Sequence, residues 1–131
     1  MNIVNTAILG LGSNVDPQKN IQLARKCLCE EFNILNESKF VSTLPIGVID
    51  QPDFINGAVL VQTELGYEEF CAQLKTIERQ MGRPIDSGKN YGPRIIDIDV
   101  LVWNGKVMNQ DFYERDFVKN FVLELSPALK Y

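Results

Sequence analysis

Two carboxylates stand two positions apart in an apolar segment in the last third of the chain. Residues 95–103 read IIDIDVLVW. Side chains alternate along a strand, so we expect Asp97 and Asp99 side by side, roughly 6–7 Å apart. Like charges at that spacing repel each other, and a divalent cation bound between them would remove the repulsion. Because oxygen ligands suit magnesium or manganese better than zinc, the pair predicts a magnesium-type site.

The remaining residues of this segment predict how the strand is buried. Alternation puts one apolar set on the core face, namely Ile96, Ile98, Val100 and Val102. The other face carries the two aspartates together with Ile95, Leu101 and Trp103. Taken alone, two acids on one strand face are typical of an ordinary solvated surface.

Two arginines favour a functional site over a solvated face. Arg94 directly precedes the segment, and Arg83 opens the loop before it. An ion pair between Arg94 and an aspartate is the structural alternative. Metal ligands, arginines and a Gly-containing loop together are typical of phosphoryl transfer, in which catalysis consists mostly of positioning and charge stabilisation.

The composition indicates a soluble globular protein. The chain has 131 residues and a net charge of −4 without a long basic run, which argues against nucleic acid as the main partner. It has no histidine, so the commonest general base and zinc ligand is absent. Its three cysteines form no CxxC and are predicted to be reduced thiols in or near the core. We expect a cytoplasmic monomer that does not bind membranes.

Turn residues divide the chain into short elements. Predicted strands cover roughly residues 4–11, 34–42, 54–62 and 94–103, with a turn at residues 12–14. One predicted helix covers residues 17–31, with Asp16 as N-cap. A second has an apolar stripe formed by Phe70, Leu74, Ile77 and Met81, with Gly82 at the position of a C-terminal cap. Asn104-Gly105 predicts a hairpin to residues 106–108. Residues 109–131 are weakly patterned, with a short helix possible near their end.

This order of elements predicts the fold class. It is β-α-β-β-α-β followed by a hairpin, which is typical of an α+β, ferredoxin-like sandwich. Such a sandwich has an antiparallel sheet with helices packed on one face. We predict one domain over residues 1–131.

Four segments resemble one enzyme family. Residues 91–101 (YGPRIIDIDVL) are similar to the signature of 6-hydroxymethyl-7,8-dihydropterin pyrophosphokinases. Residues 10–14 (GLGSN), 50–56 (DQPDFIN) and 77–83 (IERQMGR) extend the resemblance in the family's order. It implies a ferredoxin-like fold and an enzyme of folate biosynthesis. Such an enzyme transfers pyrophosphate from ATP to the hydroxymethyl group of the dihydropterin and releases AMP.

The resemblance also implies roles for individual residues. Asp97 and Asp99 would bind two magnesium ions that hold the ATP phosphates, and Asp97 would help to hold the substrate hydroxyl. Arg94 and Arg83 would stabilise charge on the transferred group. The implied pterin-binding residues are Thr43, Leu44, Ile46, Phe54, Asn56 and Phe121, of which Phe54 and Phe121 would stack on the ring. The implied ATP-binding residues are Lys75, Glu78, Arg83, Tyr91, Arg94, Val100 and Lys119. Ordinary core packing is the alternative for both phenylalanines.

The chain departs from the family pattern on the ATP side. Residues 109–115 lack the usual Pro-His pair, and Lys119 stands where the family usually has an arginine, which removes a bidentate donor. No second arginine follows in residues 84–86, so Lys89 is the nearby basic candidate. The chain stops at Tyr131, before the usual C-terminal extension. The alternative hypothesis is therefore a diverged pterin- or nucleotide-binding paralogue with weak or no kinase activity.

Overall fold

One antiparallel sheet with helices on both faces organises the chain in a computed structural model, which describes residues 3–44, 52–82 and 95–126. The strands are β1 (Asn5–Ser13), β2 (Asn33–Glu37), β3 (Val41–Thr43), β4 (Phe54–Thr63), β5 (Asp97–Trp103) and β6 (Lys106–Val107). The helices are α1 (Pro17–Glu31), α2 (Tyr67–Gln80), α3 (Asp111–Glu114) and α4 (Asp116–Leu125). The described strands follow the order β2-β4-β1-β5-β6, with β3 also paired to β4. This confirms the predicted ferredoxin-like α+β fold.

The helices α1 and α2 cover one face of the sheet, as predicted. Their buried positions repeat at helical spacing and include Ile21, Ala24 and Leu28 in α1 and Phe70, Leu74 and Ile77 in α2. These side chains pack on alternate residues of the central strands, among them Ala7, Leu9, Leu11, Val59, Val61, Ile96 and Ile98. Because each strand sends every second side chain to this face, one continuous core forms between sheet and helices.

A second core lies on the opposite face, beneath α4. Four buried residues of α4, Val118, Phe121, Val122 and Leu125, pack with Ile8, Ala58, Leu101, Val102 and Phe112. The sequence indicated only a possible short helix in this weakly patterned region. The spacing of the four α4 residues is nevertheless that of one helical face, and this face is what holds α4 on the sheet.

β1 is longer than the sequence predicted. Gly12 and Ser13 continue the strand and pair with Asn56 and Ile55 of β4, so the predicted turn at residues 12–14 begins too early. Glycine is a poor strand former in general, but here a central strand has neighbours on both sides that hold it in the ladder. The extension matters because it carries Gly12 into the middle of the sheet.

A bulge interrupts β5 after the aspartates. Ile8 pairs with Val102 and Leu9 with Val100, which leaves Leu101 as an extra residue. Beyond the bulge the sides are reversed, so Val102 packs beneath α4 while Trp103 joins the core beneath α2. The predicted sides of Val102 and Trp103 were therefore wrong, because alternation is strict only in a regular strand.

The remaining local predictions have mixed outcomes. The predicted strand over residues 34–42 is divided into β2 and β3. Gly82 adopts φ +95° at the end of α2, and the Asn104-Gly105 turn has φ values of 48° and 84°, as a tight hairpin requires. Asp16 lies at the N-cap of α1, but its side chain forms no capping hydrogen bond to the described residues around it.

The three cysteines are free thiols, with Cys27 and Cys71 half-buried and Cys29 exposed, so the core placement predicted for Cys29 was wrong.

Among residues 3–44, 52–82 and 95–126, each helix is too short or too polar to cross a bilayer. The predicted loop over residues 83–93 and the start of the predicted strand at Arg94 lie outside the described residues.

Candidate functional site

A cavity of about 180 Å³ opens on the α4 face of the sheet, next to the second core. On this face β1 presents Ile8, then Gly10, then Gly12. Ile8 is buried beneath α4, whereas the two glycines leave the sheet surface without side chains. The cavity forms where the α4 cover ends and the glycines begin, because nothing from β1 fills that volume.

The strand register places polar groups on either side of this glycine floor. Gly12 pairs with Asn56 of β4 on one side and with Asp97 of β5 on the other. Adjacent strands lie about 4.8 Å apart, so the backbones of Asn56 and Asp97 are separated by roughly 10 Å across Gly12. Gly10 pairs in the same way with Asp99, which sets the second carboxylate one row further along β5.

Gly12 also allows Asn56 to approach closely. A Cβ atom at Gly12 would lie 2.5 Å from the Asn56 side-chain oxygen, which is too close for a real contact. The Asn56 amide donates a hydrogen bond to the Thr43 hydroxyl, and Thr43 pairs with Phe54 across β3 and β4. This set of contacts fixes Asn56, Thr43 and Phe54 in one corner of the cavity.

A buried asparagine secures the entry to β4. Asn14 is 2% exposed, and its side-chain amide donates a 3.0 Å hydrogen bond to the carbonyl of Pro52. The Ser13 hydroxyl bonds to the carbonyl of Val15 in the same turn. These bonds tie the end of β1 to the segment that leads into Phe54, so the GLGSN and PDF sequences act together on the shape of the cavity.

The predicted pterin residues converge on this cavity. Five of the six line it, namely Thr43, Leu44, Phe54, Asn56 and Phe121, together with Asp97 and Asp99. Ile46 lies outside the described residues. Leu44 is 80% exposed at the mouth, whereas Phe121 is 5% exposed and belongs also to the core beneath α4. The functional and the core interpretation of Phe121 are therefore both supported by its position.

The two aspartates suit a hard cation with incomplete protein coordination. Asp97 is half-buried and Asp99 exposed, and both carboxylates belong to the cavity lining. Within the described ranges, no group of three acidic, histidine or cysteine side chains is placed to hold a metal ion. Magnesium commonly keeps several waters and takes the rest of its ligands from one or two carboxylates and substrate phosphates. A carboxylate pair in an open cavity matches this coordination preference.

The described members of the predicted ATP set lie away from this cavity. Glu78 is buried beneath β5, where it accepts a 2.7 Å hydrogen bond from the Ile98 backbone N–H. Val100 packs against the core on the α1–α2 face. Lys75 is largely exposed, and its Nζ atom lies 4.0 Å from Oε1 of Glu78. Lys119 is exposed on α4, with its ammonium 5.9 Å from the centre of the Phe112 ring.

Three polar or aromatic residues of the cavity were missed by the sequence interpretation. Asp111, Arg115 and Phe117 line the cavity from α3, the α3–α4 junction and α4. Arg115 Nε lies 3.6 Å from a carboxylate oxygen of Asp111, and its guanidinium lies 5.9 Å from the centre of the Phe117 ring. The Asp111–Arg115 spacing of four residues was a visible signal for an ion pair. That the pair would face the aspartates depends on how α3 and α4 pack.

Arg83, Tyr91 and Arg94 lie outside the described residues, and the roles implied for them stay predictions. The described geometry therefore bears on the corner formed by Asn56, Thr43 and Phe54, on the aspartate pair and on one cation, Arg115. The arrangement combines a flat glycine floor, aromatic walls, an amide and a carboxylate pair. It is suited to hold a flat polar ring beside a metal-bound phosphate.

Comparison with known families decides the relationship. The sequence model of the 7,8-dihydro-6-hydroxymethylpterin-pyrophosphokinase family matches residues 8–127, which is nearly the whole chain. The chain belongs to this family. The resemblance inferred from the four sequence segments is thereby confirmed.

Relatives of this pyrophosphokinase family occur as separate and as fused proteins. The chain is 29% identical to the 2-amino-4-hydroxy-6-hydroxymethyldihydropteridine pyrophosphokinase of Haemophilus influenzae, over 95% of this chain and 83% of that protein. It is 30% identical to the protein of the same name from Helicobacter pylori, over 82% and 68% of the two chains. A mitochondrial folate synthesis bifunctional protein of Pisum sativum is 38% identical over 88% of this chain, but the match spans only 23% of that protein.

Solved structures of the family share the fold. A Plasmodium falciparum HPPK-DHPS triple mutant superposes with a TM-score of 0.61 at 19% identity, covering 79% of this chain and 28% of that one. The wild-type HPPK-DHPS with pterin and p-hydroxybenzoate gives a TM-score of 0.59 at 18% identity, covering 92% and 33%. At such low identity the likeness supports the fold alone.

Proposed function

We propose that the protein transfers the pyrophosphoryl group of ATP to 6-hydroxymethyl-7,8-dihydropterin. The hydroxymethyl oxygen would form a bond to the β-phosphorus, the bond from that phosphorus to the oxygen bridging the α-phosphate would break, and AMP would leave. The hydroxyl proton would pass to solvent. The observation that carries the proposal is the convergence of the pterin residues and the aspartate pair on one cavity of a chain that belongs to this family.

The pterin would occupy the corner built on Gly12. Its flat ring would lie between the aromatic side chains of Phe54 and Phe121, where stacking contributes to binding without a charge. The Asn56 amide, held by Thr43, would bond to the polar edge of the ring. This placement would direct the hydroxymethyl group along the floor towards Asp97.

The ATP phosphates would lie on the aspartate side. Magnesium ions bound by Asp97 and Asp99 would neutralise phosphate oxygens and align them with the attacking hydroxyl. Arg115 faces the same cavity and would supply positive charge near the transferred group. We retain Arg83 and Arg94 as the predicted catalytic arginines. Tyr91, Lys75, Glu78, Val100 and Lys119 remain predicted neighbours of the nucleotide, and the cytoplasmic, monomeric state also stays a prediction.

The proposal is tested by AMP release from ATP and magnesium, with and without the dihydropterin. We expect AMP formation that depends on the pterin and falls about 100-fold or more in both Asp97→Asn and Asp99→Asn, because each removes charge that holds the metal. Glu30 is exposed on α1, and Glu30→Gln removes one carboxylate that has no part in the proposed mechanism. It serves as the matched control, for which we expect unchanged activity.

A folded protein that binds the pterin and yields no AMP would overturn the enzyme proposal and establish the binding paralogue instead. Folding of each variant is checked by circular dichroism, and pterin binding by titration calorimetry. Activity that survives in both aspartate variants would remove the metal pair from the mechanism while leaving the family assignment intact.

A further inference from the structure

We propose that Glu78 is a positioning residue that holds the metal-binding aspartates in place through the backbone of β5. This inference rests on the proposed function, because it assigns to Asp97 and Asp99 the metal that the reaction uses. The Glu78 carboxylate accepts a 2.7 Å hydrogen bond from the backbone N–H of Ile98, the residue between the two aspartates. It reaches them from the opposite side of the sheet, since Glu78 lies on α2.

The strand pairing explains why Ile98 needs such a partner. On one side β5 pairs with β1, through Asp97↔Gly12 and Asp99↔Gly10. On the other side β6 pairs only with Val102 and Trp103, so among the described strands the aspartate segment is an edge. Backbone groups of successive residues point to opposite sides of a strand, and an edge leaves some of them without a ladder partner. The Glu78 carboxylate accepts the hydrogen bond from the Ile98 N–H, which in a wider sheet would go to a carbonyl of the next strand.

The burial of Glu78 supports a specific role. Its exposed fraction is 3%, and it is the only charged residue among the buried positions of α2 described here. Burying a carboxylate is costly unless hydrogen bonds compensate, and an apolar residue would be cheaper at that position if packing were all that mattered. A charged acceptor also makes a stronger bond to an N–H group than a neutral one does.

The other Glu78 oxygen lies 4.0 Å from the exposed ammonium of Lys75, an ion pair that solvent screens. The bond to Ile98 would fix the position and twist of the β5 backbone between Asp97 and Asp99. Without the bond, the edge segment would move and the distance between the carboxylates would vary, which would weaken a shared cation.

Three substitutions separate the hydrogen bond from the charge of Glu78. Glu78→Gln keeps an acceptor oxygen at the same reach and removes the charge. Glu78→Asp keeps the charge but shortens the side chain by one methylene, so that it no longer reaches Ile98. Glu78→Met keeps the length and removes both. Glu68 is exposed at the start of α2, and Glu68→Asp is the matched control.

The first readout is the binding of Mn²⁺ to the full chain, with and without a non-hydrolysable ATP analogue. Electron paramagnetic resonance of the free ion measures this binding. We expect Glu78→Asp and Glu78→Met to weaken Mn²⁺ binding about tenfold or more, while Glu78→Gln stays within about threefold of the native protein. Asp99→Asn identifies the signal that belongs to the cavity.

The second readout is steady-state kinetics, which separates effects on kcat from effects on the KM for the pterin. We expect Glu78→Asp to lower kcat and raise the magnesium concentration needed for half-maximal rate, with the KM for the pterin changed less than about twofold. If Glu78→Met fails to fold, the comparison of Glu78→Asp with Glu78→Gln still decides the outcome.

Two results would overturn the inference. If Glu78→Asp binds Mn²⁺ normally and Glu78→Gln does not, the carboxylate acts by charge and not by positioning. If all variants bind it alike, Glu78 does not support the metal site. Because Mn²⁺ binding needs no turnover, a native protein that binds the ion but releases no AMP would contradict the proposed function without deciding the role of Glu78.

Discussion

At the scale of single residues, the site depends as much on the absence of a side chain as on the side chains present. Gly12 leaves the floor open, allows Asn56 to lie against it, and stands in register with Asp97. Gly10 stands in register with Asp99 one row along the strand, and a Cβ atom there would lie 3.2 Å from the Leu101 side chain. The two glycines therefore determine where a flat ligand can lie on the sheet.

Gly12→Ala is expected to weaken pterin binding about tenfold, because the added methyl group would displace Asn56 and break its bond to Thr43. Stability should fall by about 1 kcal/mol, because the lost Asn56–Thr43 bond outweighs the lower entropy of the unfolded chain. Titration calorimetry with the pterin measures the effect. Gly66→Ala is the control, because a Cβ there meets no atom closer than 4.0 Å. Unchanged affinity in Gly12→Ala would show that Asn56 does not contact the pterin.

The residues that line the cavity were predictable where a motif and a strand coincide. Asp97, Asp99, Phe54 and Asn56 lie on regular parts of β5 and β4, and period-two alternation carries them to the same face. Arg115 was not found, because its distance from the aspartates depends on the packing of α3 and α4, which local sequence does not encode.

At the scale of elements, α4 is both a structural cover and a wall of the site. Val118, Phe121 and Val122 pack on the sheet, and Val118 and Phe121 also line the cavity. The Glu124 carboxylate accepts a 3.0 Å hydrogen bond from the backbone N–H of Lys39, which joins α4 to the segment between β2 and β3. Movement of α4 would therefore alter the cavity as well as the core.

Val122→Ala is expected to lower the free energy of unfolding by about 2 kcal/mol, because Val122 is fully buried and its two lost methyl groups leave a gap. Leu123→Ala, one position along on the exposed side of α4, should change it by less than about 0.5 kcal/mol. Urea unfolding followed by circular dichroism measures both. Equal losses in the two variants would mean that α4 does not pack through the Val122 face.

Elements were predictable where periodicity is regular and not where it breaks. The apolar stripe of α2 and the Asn104-Gly105 turn gave correct placements. The bulge at Leu101 reversed the sides of Val102 and Trp103, since one extra residue shifts a period-two pattern by half a repeat. The division of the second predicted strand leaves Phe40 in contact with Gly57, a packing relation between distant residues.

At the scale of the whole molecule, the sheet brings distant parts of the chain to one site. The cavity uses residues of β1, β3, β4 and β5 and of the two C-terminal helices. The order of elements was enough to predict this topology, because the β-α-β-β-α-β order is characteristic of it. The helical cover on the second face was not predicted, and the single-domain organisation stays a prediction.

Ligands that bind the folded cavity should stabilise the whole chain. At concentrations of 100 times their dissociation constants, each should add about 2.7 kcal/mol to the free energy of unfolding, which raises Tm by several degrees. We expect the pterin to stabilise both the native protein and Asp99→Asn, but a magnesium complex of an ATP analogue to stabilise only the former. Differential scanning calorimetry makes the comparison. Equal stabilisation of both proteins by the nucleotide would argue against a metal role for Asp99.

The position of α3 and α4 in the chain sets the order in which the site can be made. Domains emerge from the ribosome N-terminus first, and the glycine floor, Asn56 and the aspartates all precede residues 111–121, which complete the wall. A nascent chain can pair its strands before that wall exists. The cavity is therefore complete only after residues 111–121 have been synthesised, and a ligand that needs all of its walls can bind only from that point on.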